Sequence, residues 1–236
     1  MEKPHIIYHM VTSVDGKVTG DFLYRPETEE ITQYYYKRHR NYCADAFLCG
    51  RTTMQGSFTG ETAPDLSPFK DAEVTREDYI PYPDMPFYAV AIDTHCRLNW
   101  SDSCIHDEDP GYDNAYIIEV LCENAHDAFL AFLRSKKIAY IFAGKESLNL
   151  ELAMHKLKRL FKINRLLLEG GGKTGATFAQ EGLIDEYSLV VAPFIEGNSA
   201  TSLIAEELSQ AKLLLQSDSE KIGKSGYWVR YKTMNR

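Results

Sequence analysis

One stretch constrains this chain more than any other: Arg165-Leu-Leu-Leu-Glu-Gly-Gly-Gly-Lys-Thr-Gly-Ala-Thr. Leu166 to Leu168 form an apolar run too short for a helix and closed off by glycine, the pattern of a strand buried on both faces. Gly170, Gly171 and Gly172 follow, and the spacing predicts a short helix over residues 174–181. A strand, a glycine turn and a helix start bare backbone N–H groups at the positive end of a helix dipole. Without a Cβ in the way, a phosphate can approach them closely. The alternative is a tight strand-to-helix turn with no ligand, although three consecutive glycines carry an entropic cost that a plain turn avoids.

Two familiar templates fail here. Gly170-x-Gly172-x-x-Gly175 matches G-x-G-x-x-G literally, but it lies in the last third of the chain. No acidic residue stands about 20 positions on to hold a ribose. Gly172-Lys173-Thr174 mimics the end of a P-loop, yet position 167, where that motif needs its first glycine, is Leu.

At 236 residues the chain fits one domain, and 44% apolar content is ample for a core. No run of 18 apolar residues occurs and no signal-peptide core follows Met1, so a cytoplasmic protein is expected. Cys43, Cys49, Cys96, Cys104 and Cys122 lack CxxC spacing and read as reduced thiols. A net charge of −8 argues against nucleic acid or an anionic membrane as partner. Any anionic ligand must then be held by local donors.

Strand–helix alternation runs through most of the chain. Residues 6–11, 46–49, 87–92, 98–100, 115–120, 139–143, 166–168 and 187–194 read as strands, and 212–222 with 227–231 as a terminal hairpin. Helices are expected over 29–42, capped by Thr28, after Asn124, and from Leu150 to Leu160. On the first of these, Ile31, Tyr34, Tyr35, Arg38 and Tyr42 share a side, read as core ahead of a ligand platform. Residues 58–86, with Pro64, Pro68, Pro81, Pro83 and Pro86, are either a lid or a surface excursion. The acidic 106–111 segment reads as a solvated turn, metal binding being the lesser alternative, and no metal site is assigned. The fold class is therefore α/β, a mostly parallel sheet with a mixed edge.

In such sheets ligands collect at the carboxyl ends of strands. Loops 12–20, 50–54 and 169–177 each follow a predicted strand. Asp15-Gly16 is a hairpin-turn signal, or else a loop presenting Asp15 and Lys17 to a ligand. Arg51, after Gly50 and before Thr52 and Thr53, suits a phosphate.

These residues resemble a known family. Leu167-Leu-Glu-Gly-Gly-Gly, Gly182-Leu-Ile-Asp-Glu-Tyr, Ala192-Pro, Ser13-Val-Asp-Gly-Lys and Leu48-Cys-Gly-Arg-Thr-Thr-Met together look like the reductase domain of riboflavin biosynthesis. The resemblance implies a dihydrofolate reductase-like fold spanning nearly the whole chain, with antiparallel C-terminal strands and flanking helices. It also implies NADPH as cofactor, a small-molecule substrate and a homodimer. The pyrophosphate loop falls on Gly171 to Thr177, including Lys173, Thr174 and Gly175. Thr12 and Thr53 match further cofactor positions, Arg51 the 2′-phosphate arginine, and Glu169 a substrate contact. The family's Asp-Pro-x-Leu-Thr-x-Arg segment, which serves the substrate's ribose phosphate, has no counterpart in Gln55-Gly-Ser-Phe-Thr-Gly-Glu-Thr-Ala. The expected reaction is hydride transfer from NADPH to a C=O or C=N carbon. Asp15 and Glu169 are the carboxyl groups for binding the substrate first and relaying a proton second. The rivals are a reductase of the same fold with another substrate and a non-catalytic nucleotide-binding protein.

Overall fold

Strand β1 (His5–Ser13) carries apolar side chains at Ile6, Ile7, Tyr8, Met10 and Val11, and Ile6 to Met10 are buried. A strand of that kind needs neighbours on both edges and cover on both faces. It pairs in parallel with β6 (Arg165–Leu168), Ile7 opposite Leu167, and with β7 (Glu186–Ala192), Met10 opposite Leu189. These strands come from a computed structural model that describes residues 2–197 and 200–234. Its contacts divide the chain into two compact units, Met1–Pro4 with Asp45–Asn164 and His5–Ala44 with Arg165–Arg236.

In the unit that holds β1, the strand order is β6-β1-β7-β9-β8. Strands β8 (Leu214–Ile222) and β9 (Gly226–Thr233) form the expected terminal hairpin, β9 running antiparallel to β7. Helix α1 (Glu29–Asn41) packs its predicted aromatic face inward. Ile31 joins Phe22, Val190, Ala192, Ile222 and Trp228 in a buried cluster, with Tyr34 and Tyr35 against it. Arg38 lies over the Trp228 ring at 3.7 Å, so its place on the apolar face is a cation–π contact. Thr28 does not cap α1. Its hydroxyl donates to Phe22 O at 2.6 Å, because a preceding 3-10 turn already satisfies the helix start.

The other unit is a four-stranded parallel sheet in the order β5-β4-β3-β2. Its strands are β2 (Ala46–Gly50), β3 (Tyr88–Ile92), β4 (Tyr116–Leu121) and β5 (Ala139–Phe142). Helices α2 (Arg51–Met54), α3 (Asp127–Ser135) and α4 (Leu150–Phe161) alternate with them. Two expectations fail here. Helix α3 starts after His126, whose Nδ1 accepts from Phe129 N, while Asn124 bonds through its N–H to Lys145 O. Residues 98–100 form no strand. Leu98 and Trp100 are buried and Asn99 is not, which imitates strand alternation. The segment is held instead by carboxylates: Asp93 accepts from Leu98 N and Glu119 from Trp100 Nε1. The long 58–86 segment is a pinned excursion. Tyr79 exchanges both backbone bonds with Tyr140, and Asp78 accepts from Phe142 N and Lys156 Nζ. It covers the outer edge of β5, which would otherwise be an open template for pairing.

No cysteine is in a disulfide, and Cys43 alone is exposed among the five. No helix among the described residues is long and apolar enough to cross a membrane.

Candidate active site

The glycine turn leaves the carboxyl end of β6. Gly171 enters it with φ 63°, and helix α5 (Gly172–Gln180) begins two residues earlier than the sequence predicts. No side chain caps this helix. Its first N–H groups, at Gly172, Lys173 and Thr174, therefore have no intrahelical acceptor and lie at the positive pole of the dipole. Lys173 is exposed beside them. Thr177 back-bonds through its hydroxyl to Lys173 O at 3.0 Å.

Two of these glycines are dictated by the chain's own packing. A Cβ on Gly175 would stand 2.2 Å from Tyr8 Oη, so the helix sits directly against β1. A Cβ on Gly172 would stand 2.0 Å from Ser202 O. The second contact arises because residues 201–205 run across the start of α5, with Ala205 N donating to Gly172 O and Tyr8 Oη donating to Leu203 O. That strap went unseen in the sequence, where nothing marks what residues 201–205 cross.

The strap also reaches the 12–20 loop. Lys17 Nζ donates to Ser202 Oγ at 3.0 Å, Val18 N to Thr201 O and Leu203 N to Gly16 O. Asp15 accepts from Ser13 Oγ at 2.6 Å, from Glu196 N at 3.0 Å and from Gly197 N at 2.8 Å. Those donors, Ser13 first, hold its carboxyl down at about 2. Asp15 is thus an ionised loop anchor with its oxygens engaged. Thr12 is buried within β1, paired with Val191.

Glu169, the residue before the glycines, turns inward. Its side chain is 3% exposed, and its Oε1 accepts from His39 Nδ1 of α1 at 2.8 Å, where the His39 side chain is 2% exposed. Close by, His9 shares hydrogen bonds with Ser188 Oγ and Tyr35 O, stacks on Tyr35 at 4.3 Å, and feels the charge of Glu169. Burial pushes the His9 imidazole below its ordinary value. Trp228 Nε1 donates to the same Ser188 hydroxyl, which extends this polar chain toward β9. His39 was missed because it is 130 residues from Glu169 in sequence and sits among the ordinary polar positions of a helix.

A cavity of about 240 Å³ borders Arg38, Tyr42, Arg165, Trp228 and Arg230. Arg165 begins β6, so this cavity is at the amino end of the strand that Glu169 and the glycines follow at its carboxyl end. Two of its three arginines are paired with acids, Arg38 with Glu220 and Arg230 with Glu186. It is separate from the glycine turn.

In the other unit, Gly50 precedes α2 in extended backbone (φ −76°, ψ 162°) and Arg51, Thr52 and Thr53 form its first turn. The Arg51 guanidinium donates to Gln55 Oε1, one helical turn on. Thr52 is exposed and Thr53 half-buried.

Nine strands among the described residues, in a mixed α/β arrangement with flanking helices, define a dihydrofolate reductase-like fold. A pyrimidine reductase-like protein of Corynebacterium diphtheriae has the same fold, with a TM-score of 0.70 at 16% identity over 99% of this chain and 93% of that one. So does Acinetobacter baumannii RibD, at TM-score 0.66 and 18% identity, of which this chain covers 58% while 98% of it is matched. The RibD C-terminal domain model matches residues 4–226, and the chain belongs to that family. A curated relative is the 2,5-diamino-6-ribosylamino-4(3H)-pyrimidinone 5′-phosphate reductase of Methanothermobacter thermautotrophicus, 27% identical over 198 residues, 83% of this chain and 80% of the relative.

Proposed function

We propose that the protein is an NADPH-dependent reductase that delivers hydride to a ribosylaminopyrimidine phosphate of riboflavin biosynthesis. The observation that carries this reading is a family match over residues 4–226 that includes an uncapped helix start behind the glycine turn. The curated reductase relative supports the substrate class. The residues present fit a pyrophosphate: three free backbone N–H groups at Gly172 to Thr174, the exposed Lys173 and no competing acidic cap. When bound, the dihydronicotinamide supplies the hydride.

The chain's own residues bind and orient. Gly170 to Gly175 with Thr177 hold the pyrophosphate, Thr12 and Gly50 to Thr53 serve the cofactor, and Arg51 recognises the 2′-phosphate. Asp15, anchored by its three donors, fixes the loop that presents Lys17 to the substrate. Glu169 acts at the substrate side, its carboxylate oriented by His39. The edge strand β8 and the exposed Leu213, Leu215, Tyr227 and Met234 support a homodimer.

Following NADPH absorbance with a ribosylaminopyrimidine phosphate, a dihydropteridine and a panel of imines tests the reading. Turnover confined to the first supports it. Turnover only with another substrate, or NADPH binding without any turnover, overturns it in favour of one of the two rivals. Arg51→Ala is expected to weaken NADPH binding while leaving NADH binding unchanged, measured by cofactor fluorescence. Equal affinity for the two cofactors in the unmutated protein would remove the 2′-phosphate role.

A further inference from the structure

The segment between β3 and β4 holds a group of side chains that the reductase reading leaves unused. Residues 101–113 contain Asp102, Asp107, Glu108, Asp109 and Asp113 and neither lysine nor arginine. The backbone here is fixed: Ile117 N donates to Ser103 O at 3.0 Å, Ile105 N to Ala115 O at 2.9 Å and Asn114 N to Ile105 O at 2.9 Å, with Cys104 bridged antiparallel to Tyr116. In extended backbone alternate residues share a face. Asp102, Cys104 and His106 therefore project together, and one ligand atom from each lies within 4.8 Å of the others.

Two of the three separations are close to those of metal ligands. His106 Nε2 is 3.2 Å from Asp102 Oδ2 and 3.9 Å from Cys104 Sγ. Around a tetrahedral zinc ion with ordinary bond lengths, nitrogen and oxygen ligands stand about 3.4 Å apart, and nitrogen and sulfur about 3.6 Å. Asp102 is oriented for the task, because its Oδ1 accepts from Ser103 N at 2.6 Å and leaves Oδ2 facing the imidazole.

We propose that Asp102, Cys104 and His106 bind a zinc ion, with water in the fourth position. A thiolate, an imidazole and a carboxylate are the three donor types that zinc takes from proteins, and this set supplies one of each. A simple His–Asp ion pair would account for two of the residues. It would contribute little at such exposure, the side chains being 62% and 54% exposed, and it gives the thiol no part. On binding, the Cys104 S–H bond breaks, the sulfur lone pair goes to the metal and the proton goes to solvent, one per ion. None of the residues assigned to the reductase is involved, so the site stands or falls separately from that reading.

The experiment compares alkylation of metal-free protein by iodoacetamide with and without one equivalent of zinc chloride, read by peptide mass. Cys43, exposed and remote in sequence, is the internal control. Zinc is expected to abolish alkylation of Cys104 and leave that of Cys43 unchanged. Equilibrium dialysis should find one zinc per chain, lost in both Cys104→Ser and His106→Ala, with NADPH binding retained. Equal protection of both cysteines, no protection of Cys104, or full zinc binding in His106→Ala would each overturn the proposal. His106 is exposed. Its variant therefore keeps the test decisive even if Cys104→Ser folds poorly.

Discussion

At the residue scale, two carboxylates with similar sequence signals have opposite surroundings. Asp15 is exposed and ringed by donors, whereas Glu169 is buried and hydrogen-bonded to His39. A carboxyl held at about 2 when folded, against 3.8 ordinarily, contributes stability that is present above about pH 4 and is lost as pH falls through its folded value. Asp15→Asn is thus expected to lower the urea midpoint at neutral pH. The gap from the unmutated protein should close between about pH 4 and pH 2. A gap that persisted unchanged at low pH would mean that Asp15 contributes through something other than its charge. His39→Ala removes a hydrogen-bond partner from the buried Glu169 carboxyl group, and losing one partner of a buried hydrogen bond costs about 1–3 kcal/mol. His39→Gln, which restores an N–H donor, should recover part of that loss in urea unfolding. Equal midpoints for Ala and Gln would show that the hydrogen bond is unimportant.

At the element scale, most of the fold is legible because period and burial agree. Strand β1 reads correctly from its apolar run, interrupted only at His9 between Ile6 and Val11, and α4 from Leu150, Ala153 and Leu157, all buried. The errors fall where a side chain replaces a backbone partner. Residues 98–100 alternate like a strand, yet Asp93 takes the Leu98 N–H that a neighbouring strand would satisfy, and Glu119 holds the Trp100 indole. Glu119 is fully buried, and burial, reinforced by Asp93, pushes its carboxyl well above the ordinary range. No local pattern announces such an acid. The glycine turn was legible as a turn but only partly for the right reason, since Gly172 and Gly175 are also required by contacts within the chain. Gly175→Ala would force a methyl group into Tyr8, and overpacking of this kind costs about 1–3 kcal/mol. Adding Tyr8→Leu, which removes the Oη, Cζ and Cε1 atoms that the methyl group would meet at 2.2, 2.3 and 2.6 Å, should restore some of that stability in thermal unfolding. No restoration would place the strain in the backbone.

At the scale of the whole molecule, the candidate site was legible where a loop follows a strand and illegible where distant segments close on it. His39 and the 201–205 strap come from regions with no chemical signature of their own, and only tertiary packing brings them to Glu169 and Gly172. In the proposed homodimer a second copy would pair along the exposed strand β8, where Leu215 is 53% exposed. Leu215→Lys is expected to shift a dimer toward monomer in sedimentation velocity while the folded spectrum is kept. An unchanged sedimentation coefficient would place the contact elsewhere.

The strap over the start of α5 also bears on how this sequence can drift. With Ser202 O occupying the space where any Cβ at position 172 would lie, no side chain can be accepted there while residues 201–205 keep their course. The two places are thereby bound into one unit of inheritance. A lineage that loses the glycine must already have rerouted the strap, and one that reroutes it frees position 172 to vary. Among descendants of this chain, the two changes should arrive in that order and then travel together.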